Sequence, residues 1–237
     1  MRCDRCGQNN PEENKFCGEC GLPLRERIPD ERILKALEHQ EQGDLEAARV
    51  LLRRIDKEDP WYFTALRLLG DLLYHEGQVE KAGQCYRKAG EGSSGFIDVW
   101  YDLGVAHYHA GQMDEAREAY AKTLELNPEY HAAHYRLGIT FYHLGKLEEA
   151  LKEFKECLLL TPEFAMANYH MGVVLCRLGR YAEGRQYLEQ YLDSHPWDAP
   201  AKYHLGMICA REGEQPCAER YLSGIPEFKS GIPKFMD

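Results

Sequence analysis

Four cysteines near the N-terminus are spaced to bind a metal ion. They form two Cys-x-x-Cys pairs, Cys3 with Cys6 and Cys17 with Cys20. Two intervening residues allow both thiolates of a tight turn to point at one ion, while backbone N–H groups support the sulfurs. Four thiolates complete a tetrahedron and leave no position for water or a substrate. The spacing therefore predicts a structural Zn²⁺ site rather than a catalytic one.

The ten residues between the two pairs are fewer than the roughly 15–20 of the common two-pair pattern. The segment nevertheless resembles the compact zinc ribbons found at the start of many prokaryotic proteins, including their Asn-Pro step and the Phe before the third cysteine. An iron centre of the rubredoxin type is the main alternative, although it needs a longer aromatic shell than Phe16 provides. A thioredoxin-like redox role lacks the βαβ context that it requires. In so short a segment, bound metal would supply the free energy of folding.

Charge and composition limit the possible partners. The net charge is −10 over 237 residues, and the excess acid lies in residues 29–237, which carry 34 acidic and 24 basic side chains. Such a surface disfavours wrapping by nucleic acid. The chain has no secretion-signal pattern, and no apolar run approaches the roughly 18 residues of a spanning helix, so we expect a cytoplasmic protein without a membrane span. The remaining cysteines are scattered, and we expect them to pack rather than react. They are Cys85, Cys157, Cys176, Cys209 and Cys217.

A 34-residue internal repeat runs through the rest of the chain. Glycine recurs at that interval six times, at Gly43, Gly77, Gly111, Gly145, Gly179 and Gly213. Two columns of small residues keep the same register: Ala36, Gly70, Gly104, Gly138, Gly172 and Gly206, and then Ala48, Ala82, Ala116, Ala150, Gly184 and Ala218. One column is large: Leu52, Tyr86, Tyr120, Phe154, Leu188 and Leu222. A glycine can adopt the left-handed conformation that ends a helix, and small residues let two helices approach while a large one fills the neighbouring space. The pattern predicts a series of helical hairpins.

These columns resemble the tetratricopeptide repeat. Repeat 3 matches the family pattern at Trp100, Leu103, Gly104, Ala116, Tyr120 and Pro128, while His107 stands where the family usually has Tyr. The resemblance implies an all-α fold, a superhelical solenoid of six helical hairpins preceded by the small zinc ribbon. The ribbon occupies residues 1–28, the array 29–232 and the end of the tail 233–237. The six repeats are 29–62, 63–96, 97–130, 131–164, 165–198 and 199–232.

Two repeats depart from the pattern. Repeat 2 ends in GEGSSGF (residues 90–96) instead of a proline, so its second helix is expected to fray early. Repeat 6 is expected to have a short second helix, from near Pro216 to Gly224, and we expect no polar capping helix after it. The tail after it is apolar, with Phe228, Ile232, Phe235 and Met236. We expect the tail to fold back over repeat 6, and self-association through its insertion into another molecule is the alternative.

The resemblance also implies which side chains line the concave groove of the array, because the first helix of each repeat supplies positions 2, 5, 9, 12 and 13. The candidate partner-binding residues are Tyr74, Tyr101, Tyr108, Tyr135, Tyr142, Tyr169, Tyr203, Arg177 and Arg211. The tyrosines are either anchors for an apolar or aromatic peptide or ordinary packing residues. The arginines are either ordinary exposed surface residues or residues that bind an acidic group of the ligand. Many relatives that bind chaperone tails use Lys and Asn at the fifth and ninth positions, and here those positions hold Tyr and Val, Ile or Met.

The sequence therefore predicts a non-catalytic interaction scaffold that binds a peptide or helix of another protein in the groove. The alternative is a nucleic-acid-associated regulator whose ribbon contacts phosphates through Arg2, Arg5, Lys15, Arg25 and Arg27. Five acidic side chains balance these five basic ones, and zinc thiolates add negative charge, so we do not expect nucleic-acid binding. The sequence shows no acid–base pair, phosphate-binding loop or open metal position, and we expect no enzyme activity.

Overall fold

Short helices of similar length follow one another along the chain. The computed structural model describes residues 30–92 and 97–223. Every regular element in these two ranges is an α-helix. Helices α1 to α6 are Glu31–Glu41, Leu45–Arg53, Tyr62–His75, Val79–Gly92, Ile97–His109 and Met113–Leu126. Helices α7 to α12 are His131–His143, Leu147–Leu160, Ala165–Arg177, Tyr181–Ser194, Ala199–Arg211 and Gln215–Leu222. Each repeat contains a first and a second helix, and α3 begins one residue before repeat 2.

Aspartates begin several of these helices. Asp30 accepts a hydrogen bond from the Arg32 N–H at 2.8 Å at the start of α1. Asp198 accepts one from the Ala201 N–H at 2.8 Å at the start of α11. Each bond satisfies a backbone donor that has no partner within the first turn, and such a cap stabilises a helix by about 1 kcal/mol.

Each first helix ends at a glycine with positive φ. The six glycines of the 34-residue column have φ angles between 74° and 80°, where a side chain would strain the backbone. After α3, the Gly77 N–H donates to the Tyr74 carbonyl at 2.9 Å, and the Gln78 N–H donates to the Leu73 carbonyl at 2.8 Å. These two bonds form a Schellman motif, which satisfies carbonyls that the helix leaves open. The predicted role of the glycine column is confirmed.

Within each hairpin, the small residue of the first helix lies against the large residue of the second. A Cβ added at Gly104 would lie 2.5 Å from the Tyr120 ring, and one added at Gly138 would lie 2.6 Å from the Phe154 ring. Both rings are completely buried. The absence of a side chain on the first helix therefore creates the space that the ring occupies, as the two columns predict.

The chain divides between Ala133 and His134 into two compact units, unit 1 and unit 2. In unit 1, one apolar cluster joins α1, α2 and α3, and a second joins α3, α4, α5 and α6. In unit 2, buried side chains of α9, α10 and α11 form the largest described cluster, and a smaller one joins α11 to α12. Each unit thus has its own core, built from stacked hairpins.

The second helix of repeat 2 differs from its prediction. Helix α4 runs from Val79 to Gly92 and contains 14 residues, as many as α6 or α8. A Cβ added at Gly90 would lie 2.8 Å from the Trp100 indole, and one added at Gly92 would lie 2.0 Å from the Phe63 ring. The expectation of early fraying is wrong, because these rings pack against the bare backbone and offset the low helix propensity of glycine.

Repeat 6 has the short second helix that was expected, since α12 contains 8 residues. Among the described residues, no helix is long and apolar enough to cross a membrane. The predicted zinc ribbon with its four cysteine ligands and the tail after Ser223 lie outside the described residues, and the predictions about them remain predictions.

Candidate partner-binding surface

The candidate partner-binding residues all lie on first helices. We use the term first-helix face for the side chains on these helices at positions 5, 6, 9, 12 and 13 of each repeat. In unit 1 this face belongs to α3 and α5, and in unit 2 it belongs to the larger part of α7 and to α9 and α11. Six of the tyrosines are half-buried, whereas Tyr203, Arg177 and Arg211 are exposed.

In unit 1, Tyr101 has a packing role. Its ring stacks on Tyr130 with 5.3 Å between ring centroids, and it lies 5.8 Å from the buried Tyr120 ring. The Tyr130 hydroxyl donates a hydrogen bond to Asp98 at 3.2 Å, which fixes the ring that Tyr101 stacks on. Tyr101 therefore supports the packing of repeat 3, so its truncation would remove internal contacts as well as surface.

Tyr74 and Tyr108 occupy the twelfth position of repeats 2 and 3, on α3 and α5. Both rings contact His109, at centroid distances of 6.0 Å for Tyr74 and 5.5 Å for Tyr108. His75 and His109 are exposed and both tyrosines are half-buried, and Tyr74 also packs against the apolar cluster that joins α3 to α6. Their position suits contact with a bound molecule.

Two carboxylates lie between α3 and α5. Asp71 accepts a hydrogen bond from the Tyr86 hydroxyl at 2.8 Å and one from the Arg67 guanidinium at 3.3 Å. Across the part of the chain that the structure describes, the side chain of Asp102 has no hydrogen bond or ion pair. Burial is the main reason that the pKa of Asp102 is raised to about 7, and the charge on Asp71 adds to the effect. Asp102 is thus a mostly buried carboxylate without an internal partner.

A cavity of about 170 Å³ adjoins both carboxylates. Its lining is Asp71, Tyr74, His75, Tyr86, Asp102 and Val105. Because these residues come from α3, α4 and α5, the stacking of repeats 2 and 3 forms the cavity. It combines two acidic groups with two aromatic rings.

In unit 2, both candidate arginines lie over aromatic rings. The guanidinium carbon of Arg177 lies 4.8 Å from the centroid of the Tyr142 ring, and that of Arg211 lies 4.6 Å from the centroid of the Tyr181 ring. These are cation–π contacts, each contributing about 0.5–1 kcal/mol at an exposed site. Arg177 therefore covers one of the candidate tyrosines, and Arg211 contacts a ring on α10 that the sequence analysis did not select.

Two other tyrosines of unit 2 pack inside aromatic clusters. The Tyr135 ring lies 4.9 Å from Phe164 and 5.6 Å from His170. The Tyr169 ring lies 5.3 Å from Tyr191. Burial raises the pKa of Tyr169 and lowers the pKa of His170, since it disfavours the charged form of each. These tyrosines therefore contribute to the core in addition to the first-helix face.

The ninth position differs between the two units. Val105 of unit 1 is half-buried and lines the cavity described above. In unit 2, Ile139 and Val173 are only 6% and 7% exposed, and Met207 is half-buried. The residues that replace the family's Asn therefore belong largely to the core in unit 2, and Tyr203, which is 39% exposed, is the more accessible side chain there.

Two cysteines form a contact that was not predicted. Cys209 and Cys217 form a disulfide, which the sequence did not predict, and both also pack in the apolar cluster that joins α11 to α12, as was expected. They join the end of α11 to the start of α12, because a hairpin brings together residues on either side of its turn. In the sequence, the two cysteines lie 8 residues apart on either side of Gly213, and this spacing across a turn could have indicated the bond. The expected packing role fits Cys157, which is buried.

Asp71 and Asp102 are the other site residues that the sequence analysis missed. Asp71 lies at the ninth position of repeat 2, where only the Val, Ile and Met of the later repeats were considered, and the sixth position of Asp102 is not among those that the family resemblance implies. Asp102 lies at the sixth position, next to Tyr101. Its burial depends on α3 and Tyr86 of the preceding repeat, and no local sequence pattern reveals that contact.

Helical hairpins with a small-to-large contact in every repeat define a helical repeat protein. Family models described as tetratricopeptide repeat match residues 39–91, 101–163 and 169–228. The matched segments make up well over half of the chain, and the chain belongs to the tetratricopeptide repeat family. Proteins of this family are interaction scaffolds that typically bind other proteins or peptides and are generally non-catalytic.

Solved structures show the same fold. A MamA structure is 22% identical, covers 68% of this chain and 94% of its own, and has a TM-score of 0.64. YrrB, described as a tetratricopeptide repeat protein with an unusual peptide-binding site, is 23% identical over 74% of this chain and 90% of its own, with a TM-score of 0.64. A tetratricopeptide repeat protein from Parabacteroides merdae is 21% identical over 86% of this chain and 80% of its own, with a TM-score of 0.70. No curated protein sequence matches this chain.

Proposed function

We propose that this protein is a non-catalytic scaffold whose first-helix face binds a peptide or helix of a partner protein. The observation that carries the proposal is the row of tyrosines on the first helices, none of which is fully buried. Membership of the tetratricopeptide repeat family supports it, and so does the peptide-binding site named for the structurally similar YrrB. Aromatic side chains supply a large contact area at a low entropic cost when they bind a peptide.

The structure separates the candidate tyrosines into two groups. Tyr101, Tyr135 and Tyr169 pack against other rings of their own unit, so substituting them would disturb the core. Tyr74 lines a cavity, and Tyr203 is the most exposed tyrosine of the set. We therefore assign partner contact to Tyr74 in unit 1 and to Tyr203 in unit 2.

Affinity capture from native lysate, followed by binding measurements with the captured partner, tests this assignment. Tyr74→Ala or Tyr203→Ala should weaken binding by roughly 1–3 kcal/mol, the range for truncating an aromatic contact at an interface. The matched control is Tyr187→Ala, which removes a half-buried tyrosine from the second helix α10. Circular dichroism of all three variants should show unchanged helicity.

If both first-helix variants bind like the wild type while Tyr187→Ala weakens binding, recognition involves the second helices and the proposal fails. Arg177→Glu combined with Arg211→Glu provides a further measurement. If the ligand is acidic where it meets unit 2, this change should slow association at low salt, because surface charge acts mainly on the association rate.

We further propose that Cys3, Cys6, Cys17 and Cys20 hold one structural Zn²⁺. The support is the donor set itself, because four thiolates in two Cys-x-x-Cys pairs match a closed tetrahedral site. Elemental analysis should find one equivalent of zinc, and Cys17→Ser should release it without unfolding the helical repeats, since each repeat contacts only its neighbours. Iron in place of zinc, or loss of all helicity on chelation, would contradict this arrangement.

The nucleic-acid role of the ribbon is tested separately. A gel-shift assay at two salt concentrations should show no complex with the purified chain. A complex that weakens steeply with salt would favour the nucleic-acid alternative, because phosphate contacts release counterions.

A further inference from the structure

The cavity of unit 1 contains more negative than positive charge. Its lining includes the carboxylates of Asp71 and Asp102, and Arg67 is a cationic side chain that contacts Asp71. Arg67 forms its ion pair with Asp71 at 3.3 Å, and the described structure contains no ion pair between Arg67 and Asp102. Two carboxylates therefore share the charge of Arg67 when Asp102 is ionised, and Asp102 has no direct ion pair with it.

An unpartnered carboxylate at this position destabilises the fold. Burial and the charge on Asp71 raise the pKa of Asp102 to about 7, so ionisation of Asp102 is less favourable in the folded chain than in the unfolded one. A neutral side chain of the same shape would avoid this cost. Charged groups that reduce stability and lie in a cavity are candidates for a role in binding.

We propose that the cavity between α3 and α5 receives the positively charged end of a lysine or arginine side chain of a partner protein, with Asp102 as its carboxylate partner. The proposal rests on the proposed function of the first-helix face and adds the chemistry of the partner. The Tyr74 ring forms a wall of the cavity and can contact the same cation through its π-face. A charged hydrogen bond to Asp102 would supply the internal partner that this carboxylate lacks.

Other occupants fit the cavity less well. An anion would meet two carboxylates, and an apolar group would leave Asp102 buried without a partner. A metal ion needs several ligand atoms close to one another. Among the described residues, three side chains that could act as ligands come that close at Cys209, Glu214 and Cys217, which lie outside this cavity. An organic cation is the occupant that the charge favours.

Binding should depend on pH through several groups. Arg67, Asp71 and His75 face Asp102 from α3, Tyr86 faces it from α4, and Asp98 precedes it on α5. A bound cation favours the ionised carboxylate, so it should lower the pKa of Asp102 and bind more tightly at pH 8 than at pH 5. His75 also lines the cavity, so a variant of Asp102 is needed to assign the effect.

The direct test uses N-acetyl-arginine methylamide as the cationic probe and the corresponding citrulline derivative as its neutral isostere. Two-dimensional NMR of the full chain should show saturable shifts at Tyr74 and Val105 with the arginine probe, and at least tenfold weaker binding of the citrulline probe. Asp102→Asn should abolish this discrimination. The matched control Glu115→Gln, which removes one acidic charge from the exposed surface of α6, should preserve it.

The proposal is overturned if the arginine probe shows no saturable binding, if both probes bind equally, or if Asp102→Asn discriminates like the wild type. These variants distinguish a failure of the cation site from a failure of the proposed function. If Tyr74→Ala and Tyr203→Ala both weaken partner binding but Asp102→Asn does not, the scaffold role stands and the cation site fails. If Asp102→Asn loses the arginine probe while the tyrosine variants keep the partner, the cavity binds a cation, but the proposed function fails and the cation is not a side chain of that partner.

Discussion

The first-helix faces of units 1 and 2 are built on the same hairpins but differ in charge. In unit 1, Asp71 and Asp102 border a cavity, and Asp102 has no partner among the described residues. In unit 2, Arg177 and Arg211 lie over Tyr142 and Tyr181, so cations already occupy aromatic surfaces of the chain itself. The repeat therefore fixes how helices pack and leaves the charge of the exposed positions free to vary. A single partner that contacted both faces would need a basic and an acidic segment.

The packing that both units share gives the largest expected effect. Gly104→Val and Gly138→Val should each destabilise the fold by roughly 2–3 kcal/mol, because the new side chain would overlap the Tyr120 or Phe154 ring. Gly83→Ala is the matched control, since its Cβ would lie 3.5 Å from the nearest atom, in ordinary contact. It should stabilise α4 by about 0.5–1 kcal/mol. Chemical denaturation measures all three, and equal stabilities would refute the small-to-large packing account.

The disulfide between Cys209 and Cys217 lies in unit 2. A reductant should therefore affect the stability of unit 2 but not that of unit 1. Closing a loop of 8 residues stabilises a fold by about 2 kcal/mol. Reduction should therefore lower the thermal stability of α11 and α12 while leaving unit 1 unchanged, as hydrogen exchange would show. Cys209→Ser should have the same effect and should be insensitive to reductant. Full alkylation of both cysteines without prior reduction would contradict the bond.

Asp102→Asn should stabilise unit 1 in a pH-dependent manner. The pKa of Asp102 in the folded chain is about 7, above its ordinary value of 3.8, so the cost of its charge is absent below pH 4 and complete above pH 7. The variant should match the wild type at pH 4 and be more stable at pH 8 by about 1–2 kcal/mol, allowing for partial exposure. Glu115→Gln should show no such trend. A destabilised Asp102→Asn at pH 8 would show that the carboxylate has a stabilising internal partner.

Arg177→Ala should give the smallest effect. It removes the cation over the Tyr142 ring and should reduce the stability of unit 2 by about 0.5–1 kcal/mol. Lys152→Ala, an exposed cation on α8, is the control and should change stability less. Denaturant titration of both variants measures the difference, and an identical loss would mean that the ring contact contributes nothing.

Several parts of the fold could be predicted from the sequence because they depend on local chemistry. The glycine column required a left-handed residue after each first helix, and all six glycines have positive φ. The position at which α4 ends could not be predicted from local chemistry in the same way. Gly90 and Gly92 look like helix breakers until Trp100 and Phe63 are seen to pack against them. These tertiary contacts outweigh the low intrinsic helix propensity of the two glycines.

The candidate surface was less predictable than the fold. Family positions located Tyr74 and Tyr203 on first helices, but the sequence did not show that Tyr135 and Tyr169 pack against other rings. Asp102 was overlooked because its special character comes from burial against the preceding repeat. Surface chemistry in a repeat array arises between neighbouring repeats, where a pattern read one repeat at a time carries little information.

The electrostatic state of Asp102 tests the account most directly. Carbon-13 NMR of the side-chain carboxyl, followed over pH with and without N-acetyl-arginine methylamide, measures its pKa in the full chain. The account predicts a pKa of about 7 in the free protein and a lower value at saturation with the probe. A pKa near the ordinary aspartate value in the free protein, unchanged by the probe, would contradict it.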